Sequence, residues 1–300
     1  MNHPSDALAH FELWRSTHQA DVERALSTWV TADAPAGLGE AMRYAVLDGG
    51  KRLRPLLVLG TSEAVGGGRE SALRAACAVE LIHAYSLVHD DMPCMDNDVL
   101  RRGKPTVHVQ FGEAQALLVG DALQALAFEL LVPESGVEPQ LGSTLCRLLA
   151  RASGGQGMAG GQAVDLASIG LALDQTALEH MHRLKTGALL QASVMMGAAC
   201  GAPDENATAE LQRFGAALGL AFQVVDDVLD VTADAATLGK TAGKDAAADK
   251  PTFVSLMGLE SAQAYADRLL GQAHLALQAT GLPRVSPLHA LTDWVGRRTH

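Results

Sequence analysis

Residues 211–230 read LQRFGAALGLAFQVVDDVLD, and this stretch decides the fold. Leu211, Phe214, Leu218, Ala221, Phe222, Val225 and Leu229 recur at spacings of three and four, which gives a helix one apolar stripe. Asp204, just after Pro203, is placed to cap its start. Three acids close the stretch. On a helix Asp226 and Asp230 are i and i+4, so they share a face, and Asp227 stands beside them. The same periodicity runs through Arg69–Val88 and Asp174–Ala199, with breaks at 33–39, 66–68, 133–139, 201–203 and 233–251. No strand-like alternation persists, and no break is long enough to be a linker. A length of 300 residues admits two domains at about 150 residues each. The pattern instead predicts a single all-α domain over residues 1–300, with ten or so helices.

Composition removes several classes of function. Charged residues are 19%, too few for a solvated, disordered chain. The net charge of −11 disfavours nucleic acid, which needs a basic face. Cys77, Cys94, Cys146 and Cys200 show no CxxC spacing, so they read as reduced thiols of a cytosolic protein, without a disulfide frame or zinc site. The N-terminus lacks a basic-then-apolar signal pattern. The longest apolar run, 188–199, is too short to span a bilayer, so no membrane span is expected.

The acidic end of the first stretch has an echo. Ser86-Leu87-Val88-His89-Asp90-Asp91 also ends an apolar run in paired acids, 136 positions before Asp226-Asp227. Asp96 follows, and on a straight helix it would sit about 240° round from Asp90. Pro93 argues that the chain leaves the helix there, so that Asp96 swings back towards Asp90. Like charges this close repel, and a multivalent cation reverses the sign. Mg²⁺ suits such a set, because it takes few protein carboxylates and shares its remaining positions with substrate phosphates. Cations stand where a diphosphate would need them: Lys51, Arg52 and Arg54 after a Gly-Gly pair, Arg101, Arg102 and Lys104 after the first acids, and Lys240, Lys244 and Lys250 after the second. Lys185 lies in an apolar helical run, where an unpaired ammonium would be costly.

Three literal motif matches fail in context. Gly155-Gln156-Gly157-Met158-Ala159-Gly160 fits GxGxxG, but a helix precedes it where the fingerprint needs a strand, so the glycines read as close-packing positions. Gly239-Lys240-Thr241 lacks the first glycine of a P-loop. Glu80/His83 and Glu179/His182 fit half of a di-iron bundle, which also needs a lone glutamate from each of two further helices and has no need of basic clusters, so it stays only a remote rival.

Taken in order, Gly50-Lys51-Arg52-Leu53-Arg54-Pro55, Asp90-Asp91-Met92-Pro93-Cys94-Met95-Asp96, Leu100-Arg101-Arg102-Gly103-Lys104-Pro105-Thr106, Lys185-Thr186-Gly187 and Phe222-Gln223-Val224-Val225-Asp226-Asp227-Val228-Leu229-Asp230 resemble the trans-prenyltransferases, the polyprenyl synthetases. The resemblance runs from about Arg43 to Pro251. Four residues between Asp91 and Asp96, with Tyr85 and Ser86 before Asp90, are similar to bacterial farnesyl diphosphate synthases. The resemblance implies an isoprenoid-synthase helical bundle around a central apolar cavity, a cytoplasmic homodimer, and about three Mg²⁺ per active site. It implies head-to-tail condensation of isopentenyl diphosphate with dimethylallyl or geranyl diphosphate to give farnesyl diphosphate.

By position, the resemblance makes Asp90, Asp91, Asp96, Asp226, Asp227 and Asp230 the metal-binding acids, with Asp165 as a supporting partner. Lys51, Arg54, His83 and Arg102 would hold isopentenyl diphosphate. Arg101, Lys185, Lys240 and Lys250 would hold the allylic diphosphate, and Thr186 and Gln223 would face the reacting carbons. Tyr85 and Ser86 would set product length, although at about 100° per residue Tyr85 lies about 140° from Asp90, so geometry alone does not make it a floor. Val99 departs from the pattern, since many relatives carry a further acid there. The residue segment 233–251 reads as a closing flap. Rival readings are a geranylgeranyl diphosphate synthase, a terpene cyclase of the same fold, disfavoured by the scarce aromatics, and a non-catalytic metal-binding helical bundle.

Overall fold

The computed structural model describes residues 4–47, 49–232 and 251–297. The chain is all-α and packs as two compact units, one built from residues up to Leu59 with Gly68–Cys146, the other from Gly60–Gly67 with Arg147 onward.

The first unit contains α1 (Pro4–Trp29), a 3₁₀ turn (Pro35–Gly37), α2 (Leu38–Val46), the start of α3 (Leu53–Ala64), α4 (Arg69–Asp90), a hairpin of β1 (Leu100–Arg101) and β2 (Lys104–Pro105), α5 (Val107–Phe111), α6 (Glu113–Leu131) and the start of α7 (Pro139–Ser153). Helix α4 is its axis. Ala72, Ala75, Ala76, Ala78, Leu81 and Ile82 are all buried, because small side chains let neighbours approach on more than one side. A Cβ on Gly120 would lie 1.9 Å from His89 Nε2, so only glycine lets α6 pass the His89 ring. That ring nitrogen meets the Leu117 carbonyl at 3.1 Å.

The second unit contains α8 (Met158–Ala167), α9 (Gln175–His182), a π-helical turn (Arg183–Gly187), α10 (Ala188–Ala199), α11 (Glu205–Thr232), α12 (Phe253–Met257), α13 (Leu259–Ala279) and α14 (Ser286–Gly296). Helix α11 carries the apolar stripe and the second acidic cluster. Leu211, Phe214, Leu218, Ala221 and Val225 are fully buried. Phe222 is half-buried, whereas Leu220, Val224 and Val228 join the core, since α11 packs against both α10 and α13. The Asp204 carboxylate accepts from Ala207 N at 2.7 Å and caps it.

The all-α expectation holds, with one small hairpin added: β1 and β2 pair antiparallel, Leu100 with Pro105 and Arg101 with Lys104. Their two-residue turn, Arg102-Gly103, has φ of +52° and +78°, the left-handed pair that tight hairpins require. Arginine rarely adopts that φ, so the turn carried no Asn-Gly signal. One expectation needs correction: α4 and α6 are long and apolar enough to cross a membrane. Most of the α4 window is buried inside the fold, where its apolar side chains pack against protein. Two of the three GxGxxG glycines, Gly157 and Gly160, serve close packing, while a Cβ on Gly155 would meet nothing. A Cβ on Gly157 would meet the Ala152 carbonyl oxygen at 2.2 Å and one on Gly160 the Gly155 oxygen at 2.0 Å.

Candidate active site

In the first unit, α4 ends at Asp90 and the chain turns back on itself. Asp96 N donates to the Asp90 carbonyl at 2.8 Å, Asn97 N to Met92 O at 3.1 Å and Asp98 N to Asp91 O at 3.1 Å. The four residues between Asp91 and Asp96 therefore form a closed loop that brings Asp96 back beside Asp90. Asp91 has a different task. It is 3% exposed and takes the Arg101 guanidinium as a fork, Nε to Oδ2 at 2.8 Å and Nη2 to Oδ1 at 2.6 Å. Burial pushes the Asp91 carboxyl up and the Arg101 fork pulls the other way. This pair ties the β1–β2 hairpin to the end of α4, so Arg101 is already engaged with an acid. The hairpin turn then sends the Arg102 Nη1 to the Gly49 carbonyl at 2.7 Å.

These elements enclose a pocket whose titratable lining is Arg52, Glu80, His83, Asp91, Arg101, Arg102 and Lys104, with Ala84, Leu87 and Val88 as its apolar side. Burial, then the guanidinium groups of Arg54, Arg102, Arg101 and Arg52, hold the His83 pKa well below the ordinary histidine value. His83 is neutral at pH 7 and adds no charge to the arginines. Burial also lowers the Arg54 pKa, and the Arg54 Nε is buried without a hydrogen-bond partner. A buried guanidinium donor left unmatched by protein fits an anionic ligand. Lys51 is exposed. Ser86 is turned back on its own helix, Oγ to the His83 carbonyl at 2.9 Å. Tyr85 is half-buried, its hydroxyl bonded to Gln124 of α6 and its phenol pushed up by burial. Its ring meets His89 edge-on, centroids 5.8 Å apart.

In the second unit, Lys185 and Thr186 sit on the π-helical turn. Such turns are rare and mark functional sites, because one extra residue per turn redirects side chains. Glycines clasp it closely: a Cβ on Gly161 of α8 would lie 2.1 Å from Lys185 N, and one on Gly219 of α11 2.9 Å from the Gly187 Cα. Lys185 has the partner that its setting demands, Nζ to Asp165 Oδ2 at 2.6 Å, with Asp165 buried. Thr186 Oγ1 donates to Gln223 Oε1 at 2.9 Å, and Gln223 Nε2 donates to Asp227 Oδ1 at 2.8 Å. The other Asp227 oxygen accepts from Phe253 N at 2.8 Å. Asp227 is thus a buried tie between α11, the π turn and α12. Asp226 is half-buried and Asp230 buried one turn on. Lys240, Lys244 and Lys250 lie outside the described residues.

Several site residues escaped the sequence reading. Phe253 enters through its backbone N–H, for which no side-chain signal exists. Glu80 and Glu179 do not act as di-iron ligands. Glu80 bonds Arg52 at 2.7 Å, and Glu179 accepts from the Tyr265 hydroxyl at 2.5 Å. His182 is buried with neither ring nitrogen bonded, and burial takes its pKa down to about 4. No three His, Cys, Asp or Glu side chains among the described residues form a closed metal cage. The carboxylates offered are hard oxygen donors in open sets. They fit Mg²⁺, which keeps positions for substrate oxygens.

A polyprenyl synthetase family model matches residues 35–278. The chain is 48% identical over 282 residues to geranylgeranyl pyrophosphate synthase 7, chloroplastic, of Arabidopsis thaliana, covering 92% of this chain and 81% of that one. It is similar to the apo crystal structure of an FPP/GFPP synthase from Zymomonas mobilis, with TM-score 0.86, 40% identity, and 96% and 99% of the two chains covered. It is also similar to a geranyltransferase from Helicobacter pylori complexed with magnesium and isoprenyl diphosphate, with TM-score 0.83, 35% identity and 99% of both chains covered. The family match, the identities and the ordered acidic and basic motifs agree: the chain belongs to the polyprenyl synthetase family, the trans-prenyltransferases, and is a prenyltransferase.

Proposed function

We propose that the chain joins isopentenyl diphosphate head-to-tail to allylic diphosphates and stops at geranylgeranyl diphosphate. The observation that carries the chemistry is the pocket lined by Arg102 and neutral His83, with the Arg54 guanidinium acting on His83 and its Nε buried and unmatched, together with the loop that folds Asp96 back to Asp90. Identities of 44–48% to plant geranylgeranyl pyrophosphate synthases support the twenty-carbon product. A second reading, farnesyl diphosphate, is favoured by Tyr85 on α4 and by the Zymomonas mobilis neighbour.

Asp90 and Asp96 in one unit, and Asp226 with Asp230 in the other, are the residues that would hold Mg²⁺. Bound there, Mg²⁺ would supply positive charge to offset that of the leaving diphosphate. Lys185 adds a cation for the same anion, and Asp165 fixes where that cation stands. Arg54, Arg102 and Lys51 bind the second diphosphate, and neutral His83 donates a hydrogen bond to it without adding charge. Thr186 and Gln223 present dipoles rather than charges to the allylic carbons as positive charge develops. The proton lost after the new carbon–carbon bond forms goes to the departing diphosphate, so no side-chain base is assigned.

Incubation with isopentenyl diphosphate, each allylic diphosphate and Mg²⁺, followed by chromatography of the products, tests the reading. The wild type is expected to give the twenty-carbon product, and a fifteen-carbon endpoint would favour the second reading. Tyr85→Ala removes a ring anchored to Gln124 and is expected to lengthen the products. An unchanged distribution would take Tyr85 out of length control.

A further inference from the structure

Of the three cations in the motif Gly50–Pro55, Lys51 is exposed, Arg54 buries an unbonded Nε, and Arg52 lines the pocket while its guanidinium is spent on bonds within the protein. The Arg52 side chain is 3% exposed, and its backbone sits at φ +48°. Its Nε donates to Glu23 Oε1 on α1 at 2.7 Å, its Nη1 to Glu80 Oε1 on α4 at 2.7 Å and its Nη2 to the Val46 carbonyl on α2 at 2.6 Å. One planar guanidinium thus bolts the turn before α3 to three other helices. A lysine has one donor atom and could not reach three directions at once. A left-handed φ is costly for a residue with a Cβ, so the turn keeps this shape because these bonds hold it.

From this geometry we infer that Glu80 and Glu23 are positioning residues. Acting through Arg52, they set where Lys51 and Arg54 meet the isopentenyl diphosphate. The inference rests on the prenyl-transfer reading. Arg52 lies between Lys51 and Arg54 in the chain, so a shift of its Cα moves both. Glu80 is also close enough to Arg54 to oppose the loss of its charge, and it lines the pocket with His83, Arg101 and Arg102. Two carboxylates face one guanidinium. Removing Glu80 therefore leaves Arg52 balanced by Glu23, and the variant keeps a paired buried charge.

The test is steady-state kinetics of Glu80→Leu, with each substrate varied in turn. The KM for isopentenyl diphosphate is expected to rise about tenfold while kcat and the allylic KM change less than about threefold. Glu80→Gln keeps the acceptor at Oε1 and is expected to restore the isopentenyl KM to within about threefold of wild type. If Glu80→Leu fails to fold, Glu23→Leu is expected to show the same split, with the isopentenyl KM raised about tenfold and kcat and the allylic KM changed less than about threefold. Equal losses for both substrates, or an unchanged isopentenyl KM, would overturn the inference by reducing the trio to a structural pair. An inactive wild type would instead overturn the prenyl-transfer reading itself.

Discussion

Asp90→Ala is expected to lower prenyl transfer by a factor on the order of 10³ or more, with the fold intact. Asp90 is half-buried at the last turn of α4, and its backbone carbonyl, not its carboxylate, accepts from Asp96 N. The substitution therefore leaves the loop closed and removes one hard oxygen donor. The diphosphate would then leave from a site with less positive charge around it, offset by the lysine and arginine cations and whatever the Asp226 motif still holds. Kinetics with circular dichroism checks this, since turnover should fall while the helical signal and melting temperature stay near wild type. Activity within tenfold of wild type would contradict the assignment of Asp90.

Asp227→Ala should fail in a different way. Both Asp227 oxygens are used inside the protein, by Gln223 Nε2 and Phe253 N, and the residue is 3% exposed. Alanine strands two buried donors, each costing about 1–3 kcal/mol, so stability should fall by roughly 2–6 kcal/mol. Gln223 also loses the contact that orients its amide towards Thr186, and turnover is expected to fall about 100-fold even below the melting temperature. Denaturant unfolding with kinetics at low temperature separates the two effects. A variant as stable as wild type would show that the chain from Thr186 to Phe253 carries no load. Asp226→Ala, by contrast, is expected to resemble Asp90→Ala and lose activity at little cost in stability.

That contrast shows how much the sequence made legible. The α11 stripe, the Asp204 cap and the return of Asp96 follow from period, capping chemistry and Pro93, all of which act within a few residues. The ordered motifs identified the family. Within the motifs, sequence could not separate acids that face a ligand from acids that face the protein. Asp91 and Asp227 look like their neighbours in the chain, yet one clamps Arg101 and the other ties Gln223 to Phe253 N. Those partners lie 10 and 26 positions away. The same holds for Arg52, which reads as one more cation beside Lys51 and Arg54 until the helices carrying Glu23 and Glu80 place their carboxylates on it. The Arg102-Gly103 turn was hidden because arginine in a left-handed conformation leaves no compositional mark.

The central proposal is that Asp90 and Asp226 each act on the allylic diphosphate through a divalent ion. Calorimetric titration of a non-ionisable allylic diphosphate analogue tests it most directly, with Mg²⁺ and with EDTA, on wild type, Asp90→Ala and Asp226→Ala. Tight binding to wild type in Mg²⁺ alone, lost in EDTA and weakened in both variants, is the expected result. Affinity indifferent to Mg²⁺, or unchanged when either aspartate is removed, would contradict it.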